Sequence, residues 1–268
     1  MIPAKFDYTK PGSVDEAVRA LADGGEDAKV IAGGQSLLPL LRLRLSFPDL
    51  LVDVGGLGEL RGVRDEGDTL WIGALTTLDE AQRDPVIAQH CGLLAQTAAL
   101  IADPAGDLPA VATALDARMI ARGPGGERAI GAGEFFLDYL TTALAPGEIL
   151  TGIRVPKLGP GWGYRYEKFH LTAQAWAIVG VAALARRADG HVAEARIGLT
   201  NMGLVPVRAQ AAEQAVAGAE ASAQALRAAA ERADEGTQPP SDLHGGSDYR
   251  RHLARVLTAR ALAVASGV

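Results

Sequence analysis

A glycine pair between a predicted strand and a predicted helix is the part of this sequence best suited to hold a phosphate. Lys29–Ile31 has the apolar, β-branched character of a short strand, and it runs into Ala32–Ser36 before the apolar stretch that begins at Leu37. Paired glycines allow backbone conformations that other residues avoid, and they let main-chain N–H groups approach a ligand closely. Those donors, together with the positive end of the following helix, can cradle a phosphate, and Ser36 can donate its hydroxyl or cap the helix.

The same pattern is also typical of a tight connection that binds nothing, because glycine turns before helices are common. The segment matches neither the G-x-G-x-x-G dinucleotide fingerprint nor a Walker A loop, so the pattern supports neither a Rossmann domain nor an NTPase. The local residues therefore leave phosphate binding and a simple connection both open.

Other chemistry-bearing residues are few and scattered. The five histidines lack the spacing of metal ligands, and no nucleophile elbow or H-E-x-x-H motif occurs. Cys91 is the one cysteine, so this chain can form neither an intrachain disulfide nor an all-cysteine zinc or iron–sulfur site. Its apolar helical context is typical of a packed thiol. The three tryptophans, Trp71, Trp162 and Trp176, are expected to lie in cores. We assign no catalytic residue and predict no metal site.

Composition narrows the class of protein. The chain has 268 residues, of which 48% are hydrophobic and 22% charged, as in soluble globular proteins. A net charge of −6 does not favour nucleic acid or an anionic membrane surface, so an anionic ligand needs local donors. The amino terminus lacks the apolar core of a signal peptide, and no stretch is long enough to span a bilayer. We expect a cytoplasmic protein, with the inner face of the membrane as an alternative location.

Strands and helices are mixed without regular βαβ alternation, which indicates an α+β fold. Ser13 is a plausible N-cap for a helix that the glycines at 24–25 can end, and a long helix is predicted over Val86–Ala102. The glycine-proline cluster at 159–161 is the best candidate for a domain boundary. Beyond it, the predicted elements are three strands followed by three alanine-rich helices: Gly163–Phe169, Ala177–Arg186, Val192–Thr200, Val207–Ala217, Ser222–Ala233 and Asp248–Ala265.

Several longer segments resemble the flavin-binding medium subunit of molybdenum hydroxylases, in particular that of aerobic carbon monoxide dehydrogenases. The resemblance covers nearly the whole chain, and no single short motif accounts for it. The similar segments are FDYTKPGSVDEAV at 6–18, AGGQSLLPLLRLRL at 32–45, LVDVGGLGELRGV at 51–63, WIGALTT at 71–77, ADPAGDLPAVATALDA at 102–117, EFFLDYLTTALAPGEILTGIRVP at 134–156, YEKFHLTAQAWAIVGVAA at 166–183 and YRRHLARVLTARAL at 249–262.

The resemblance implies a fold of the vanillyl-alcohol-oxidase-like (PCMH) type. Its FAD-binding domain, made of two α/β lobes, is expected over residues 1–160 with a lobe boundary near 55–60. A smaller α+β domain with a three-stranded sheet and helices is expected over residues 161–268. The residues that the resemblance assigns to FAD are Lys29, Ala32, Gly33, Gly34, Gln35, Ser36, Leu37, Asp107, Leu150 and Lys168.

Three of these residues keep an alternative interpretation. Asp107, in a D-L-P context, can also cap the helix that follows, and both roles can hold at once. Lys168, in a Y-x-K-F context, is on residue type alone a solvated strand residue. Leu150, in the segment ILTGI, is without the resemblance an ordinary core residue.

The resemblance also implies partners. Substrate is oxidised at a molybdopterin cofactor on a large subunit, and electrons cross iron–sulfur clusters on a small subunit to FAD on this chain and then to an external acceptor. A single cysteine agrees with clusters that lie on another chain. The expected assembly is a dimer of heterotrimers.

The sequence departs from the family at one place. Relatives carry a second glycine-rich loop, similar to R-G-T-I-G-G, but here Leu100–Ala102 runs directly into Asp103–Asp107. Loss of one phosphate cradle would weaken FAD binding. This departure motivates one alternative, a flavin-deficient scaffold subunit of such a complex. A second alternative is a free-standing flavin oxidoreductase.

Overall fold

A computed structural model of the protein describes residues 2–101, 106–172 and 175–268. The strands in these ranges are β1 Asp7–Thr9, β2 Ala28–Ile31, β3 Leu50–Asp53, β4 Val63–Asp65, β5 Thr69–Gly73, β6 Arg118–Gly123, β7 Gly126–Gly131, β8 Phe136–Asp138, β9 Thr141–Thr142, β10 Ile149–Pro156, β11 Trp162–Phe169, β12 Val179–Ala188, β13 His191–Thr200 and β14 Val207–Arg208.

The α-helices in the same ranges are α1 Val14–Gly24, α2 Leu37–Arg42, α3 Leu78–Arg83, α4 Pro85–His90, α5 Gly92–Ala98, α6 Asp107–Ala114, α7 Ala132–Phe135, α8 Gln210–Val216, α9 Ala223–Ala230 and α10 Ser247–Ser266. Short 3-10 turns cover Gly25–Asp27 and Gly58–Leu60.

The amino-terminal lobe is a parallel sheet with the strand order β1-β3-β2. Helix α1 begins where the predicted N-cap, Ser13, accepts a hydrogen bond from the Glu16 amide, and it ends at Gly25, whose φ is +66°. Its apolar face packs on the sheet core. Because all three strands are parallel, the chain segments that follow them meet at one edge, which is where ligands bind in such sheets. The glycine pair, directly after β2, lies at this edge.

The second lobe is a five-stranded antiparallel sheet with the order β4-β5-β10-β6-β7. Helices α3 to α6 cover one face through a shared apolar core. The single helix predicted over Val86–Ala102 is wrong, because Cys91 breaks it with φ −147° and ψ 47°. The His90 carbonyl there accepts the Leu158 amide at 2.9 Å, so a tertiary hydrogen bond replaces the helical one.

The carboxy-terminal sheet is antiparallel with the order β11-β12-β13-β14, and α8, α9 and α10 pack on one face. The three long strands were predicted, but the sheet has a fourth. Strand β14 has only two residues, and it occupies the start of the segment predicted as the helix Val207–Ala217. Pairing of Val207 with Leu199 holds it in the sheet, and the helix begins three residues later, at Gln210.

Helix α6 packs on the other face of this sheet at very short range. A Cβ atom on Gly198 of β13 would lie 2.1 Å from the carbonyl oxygen of Ala110, so only glycine permits this approach. The first residue of α6, Asp107, is thereby held against β11. The contact joins the helical layer of the second lobe to the carboxy-terminal sheet.

Candidate functional site

The turn after β2 has the geometry of an open backbone cradle. Gly34 has φ +76°, a conformation that other residues rarely adopt. No atom lies within 4 Å of a Cβ built on Gly33, so the space beside it is open. Helix α2 begins with the Leu38 amide bonded to the Gly34 carbonyl at 2.9 Å. Ser36 is already helical and its side chain makes no capping hydrogen bond, so the hydroxyl is not a cap.

The amides of this turn are available to a ligand. Among the residues that the structure describes, none of the five consecutive N–H groups from Gly33 to Leu37 donates to a protein acceptor. All five residues are exposed or half-buried, so solvent reaches this turn. Consecutive unpaired amides are the feature that binds phosphate oxygens. The turn therefore fits one diphosphate.

Lys29 does not point toward this cradle. Its Nζ donates to the Glu26 carbonyl at 3.1 Å, at the opposite end of β2 from the glycine pair. Lys29 as a cofactor contact stays a prediction, and its position gives it no support.

A carboxylate that the sequence did not point to lies beside the cradle. Asp53, at the end of β3, is paired in register with Ile31. It accepts hydrogen bonds from the Tyr8 hydroxyl at 2.5 Å and from the Gly55 amide at 2.8 Å. The pKa of Asp53 is lowered by the Tyr8 bond first and then by the Gly55 amide and Lys10, so the group stays anionic. Because the charged Asp53 repels an anion, binding of an anion at this edge depends on the amides of the turn.

The second cluster of predicted residues is buried between α6 and β11. Lys168 Nζ donates to Asp107 Oδ2 at 2.7 Å, and their side chains are only 8% and 3% exposed. Tyr166 Oη donates to Asp107 Oδ1 at 2.5 Å. The structure thus brings two predicted residues together and adds Tyr166, which sequence reasoning missed. The available signal was alternation, since residues 166 and 168 of one strand face the same side.

The structure decides between the local interpretations of these residues. Asp107 is the first helical residue and Gly106, with φ +114°, takes the N-cap position, so the capping role is wrong. Lys168 is buried and paired, so the interpretation as a solvated residue is wrong as well. A buried charge needs such a partner, because desolvation otherwise disfavours it strongly.

Two sequence profiles together match nearly the whole chain. The profile described as the FAD binding domain in molybdopterin dehydrogenase matches residues 4–105 and 99–158, and that of the CO dehydrogenase flavoprotein C-terminal domain matches residues 164–265. The chain belongs to the family of molybdenum-hydroxylase flavoprotein subunits. It is an FAD-dependent oxidoreductase subunit, as the resemblance implied, and FAD is its cofactor.

Relatives of this flavoprotein family match over almost their full length. The carbon monoxide dehydrogenase medium chain of Hydrogenophaga pseudoflava is 37% identical over 98% of this chain and 97% of its own. The alpha subunit of the 6-hydroxypseudooxynicotine dehydrogenase complex of Paenarthrobacter nicotinovorans is 36% identical over 99% and 96%. A solved structure of carbon monoxide dehydrogenase from H. pseudoflava, one lacking the Mo-pyranopterin moiety, has a TM-score of 0.95 at 39% identity, covering 100% of this chain and 99% of that one.

The family match breaks where the second glycine-rich loop of the flavoprotein subunits was expected. The two matched ranges, 4–105 and 99–158, overlap at residues 99–105, so the profile is interrupted there. Asp103 and its neighbours at 102–105 lie outside the described residues. The interruption agrees with a sequence that passes from Leu100 to Asp107 without a second glycine-rich motif.

The remaining candidates lie elsewhere in this flavoprotein subunit. Leu150 of β10 packs in a separate apolar cluster with Phe135, and the described contacts do not link it to Asp107 or to the glycine turn. Cys91 is fully buried, which raises the pKa of its thiol to about 12 and makes it unreactive. The expectation that all tryptophans are buried is wrong for Trp176, which is 60% exposed.

In the described ranges no group of three or more His, Cys, Asp or Glu side chains could hold a metal ion. Among the helices of the described residues, none combines the length and the apolar character needed to cross a bilayer.

Proposed function

We propose that this chain is the FAD-carrying electron-transfer subunit of a heteromeric molybdenum hydroxylase, with a carbon monoxide dehydrogenase-type complex as the favoured assembly. The observation that carries the proposal is the run of five amides at Gly33–Leu37, which donate to no acceptor among the described residues and lie at the carboxyl ends of the strands of a parallel sheet. The similarity to medium chains over 97% of their length supports the assignment to such a complex.

The residues that hold the cofactor in this proposal are those of the two clusters. The amides from Gly33 to Leu37 bind the diphosphate oxygens, and Ala32 and Gln35 shape the turn. The pair formed by Asp107 and Lys168 supplies an oriented ammonium from the side of the carboxy-terminal sheet. Leu150 packs against the cofactor and makes no polar contact with it. FAD, when bound, supplies the redox chemistry, and the protein supplies binding, orientation and electrostatics.

Two observations support the proposed partners. The single cysteine of this chain cannot hold iron–sulfur clusters, and its relatives are subunits of larger enzymes. We propose a large molybdopterin-binding subunit and a small iron–sulfur subunit, assembled as a dimer of heterotrimers in the cytoplasm. Electrons pass from the clusters of the small subunit to FAD on this chain and then to an external acceptor. The FAD-binding domain covers residues 1–160 with a lobe boundary near 55–60, where the chain passes from β3 to β4, and residues 161–268 form the second domain.

The experiment that tests this function is purification of the tagged chain from its native host. We expect a molybdopterin chain and a cysteine-rich chain to co-purify, with one FAD released per copy of this chain and a flavin absorption band. An intact complex without flavin would instead establish the scaffold alternative. Turnover of a substrate by the isolated, FAD-loaded chain would establish the free-standing oxidoreductase.

A further inference from the structure

The hydroxyl of Tyr166 lies in a space that the neighbouring strand leaves open for it. A Cβ built on Gly180 of β12 would lie 2.3 Å from Tyr166 Oη and 3.2 Å from the Cβ of Thr200. In the sheet register, Gly180 is paired with Lys168 on one side and with Thr200 on the other. Because Gly180 has no side chain, the phenol of Tyr166 can pass over β12 and reach α6.

Both oxygens of the Asp107 carboxylate are held by residues of a single strand. Tyr166 donates to Oδ1 at 2.5 Å and Lys168 donates to Oδ2 at 2.7 Å. Thr200 also fixes the start of α6, because its Oγ1 donates to the Gly106 carbonyl at 3.1 Å. The carboxylate can then rotate only by breaking one of these bonds.

The cluster combines one anion, one cation and one neutral donor in a buried space. Tyr166 is 1% exposed. Its pKa is raised well above 10, first by burial and then by the negative charge of Asp107, so the phenol stays protonated at any physiological pH. The hydroxyl is thus a permanent donor. Inside a protein such hydrogen bonds are stronger than in water, and they fix geometry accordingly.

We propose that Tyr166 is a positioning residue that, by holding Asp107, fixes the direction in which Lys168 presents its ammonium to the flavin. A lysine has a flexible stem and three equivalent donors, so its direction is set by the acceptor that holds it. An anchored carboxylate supplies a fixed acceptor, as the outer partners of metal ligands do. This proposal rests on the proposed function, in which Lys168 contacts the cofactor.

The test compares Tyr166→Phe with Tyr164→Phe in the FAD-loaded complex. Tyr164 lies on the same strand and undergoes the same chemical change, but its hydroxyl packs beside Gly92 of α5. The measurements are the midpoint potential of the flavin, its visible spectrum and the FAD dissociation constant. These quantities report the surroundings of the flavin, which a loss of stability alone does not change.

We expect Tyr166→Phe to keep one FAD per chain, with a dissociation constant raised by up to about tenfold, because Lys168 is then no longer held in place and must be ordered when FAD binds. The midpoint potential becomes more negative, because the charge on Asp107 is then less compensated and opposes added electrons. Tyr164→Phe leaves the potential and the spectrum unchanged.

Equal potentials and spectra in the two variants, with FAD bound in both, would overturn the positioning role while leaving the proposed function intact. Absence of FAD from the wild-type complex would overturn both. If Tyr166→Phe does not fold, Gly180→Ala serves instead, because it displaces the hydroxyl without removing it. The same negative shift is then expected, and an unchanged potential would overturn the role.

Discussion

Replacing Lys168 with methionine tests how much stability depends on the buried pair. The variant keeps the length of the side chain but leaves the Asp107 carboxylate, 3% exposed, without its cation. Removing one partner of a buried ion pair costs about 3–5 kcal/mol, because the other charge stays desolvated. We expect a loss in this range in the free energy of unfolding, measured by urea denaturation of the FAD-free chain.

The double variant Lys168→Met with Asp107→Asn distinguishes pairing from simple packing. Once the charge on Asp107 is also removed, no unpaired charge of this pair remains buried, so we expect the double variant to be more stable than Lys168→Met alone. The matched control is Lys157→Met, which loses a surface pair with Asp65 at 2.6 Å. Exposed pairs are worth about 0–1 kcal/mol. Equal losses for Lys168→Met and Lys157→Met would show that the buried pair contributes no more to stability than the surface pair.

Further predictions concern packing, pH and thiol reactivity. Gly198→Ala should lower the free energy of unfolding by about 1–3 kcal/mol, because the added methyl group overpacks against α6. Gly133→Ala, which has open space around its Cβ, should not lower it. Equal melting temperatures for the two variants would contradict this. The pKa of Asp53 in the folded protein lies below its ordinary 3.8. The stability contributed by the Tyr8 hydrogen bond is therefore fully present above pH 3.8 and is lost as the pH falls through the folded pKa. Tyr8→Phe should thus differ from the wild type in stability at pH 6 and progressively less below about pH 4. Cys91 should react with a thiol reagent only after urea unfolding, and rapid labelling of the native chain would show that it is accessible.

Local patterns predicted most elements, because their signals lie within a few residues. The N-cap Ser13 and the apolar spacing of α1 correctly predicted that helix, and the strand before the glycine pair was predicted as well. Two errors came from contacts distant in sequence. The Leu158 amide donates to the His90 carbonyl where the helix is interrupted at Cys91, and Val207 pairs with Leu199 in the sheet. Neither partner can be read from the neighbouring residues.

The site could be predicted only in part. The glycine turn carries its signal locally, since its function depends on backbone conformation and free amides. The pairing of Asp107 with Lys168 joins residues 61 positions apart, and it required the family resemblance to suggest either one. Tyr166 was not predicted, because its contact with Asp107 depends on the space that Gly180 leaves on the next strand. Such a complementarity appears only once the strands are in register.

If the amides in the turn after β2 bind the diphosphate of FAD, the FAD dissociation constant of Gly33→Asp must be higher than that of the wild type. Gly58→Asp is the matched control, because both positions are exposed with open space around a built Cβ. A carboxylate about 5 Å from the diphosphate costs roughly 1–3 kcal/mol after screening, which corresponds to about 5-fold to 150-fold in affinity. We expect weaker FAD binding by Gly33→Asp and unchanged binding by Gly58→Asp. Equal dissociation constants for the two variants would contradict it.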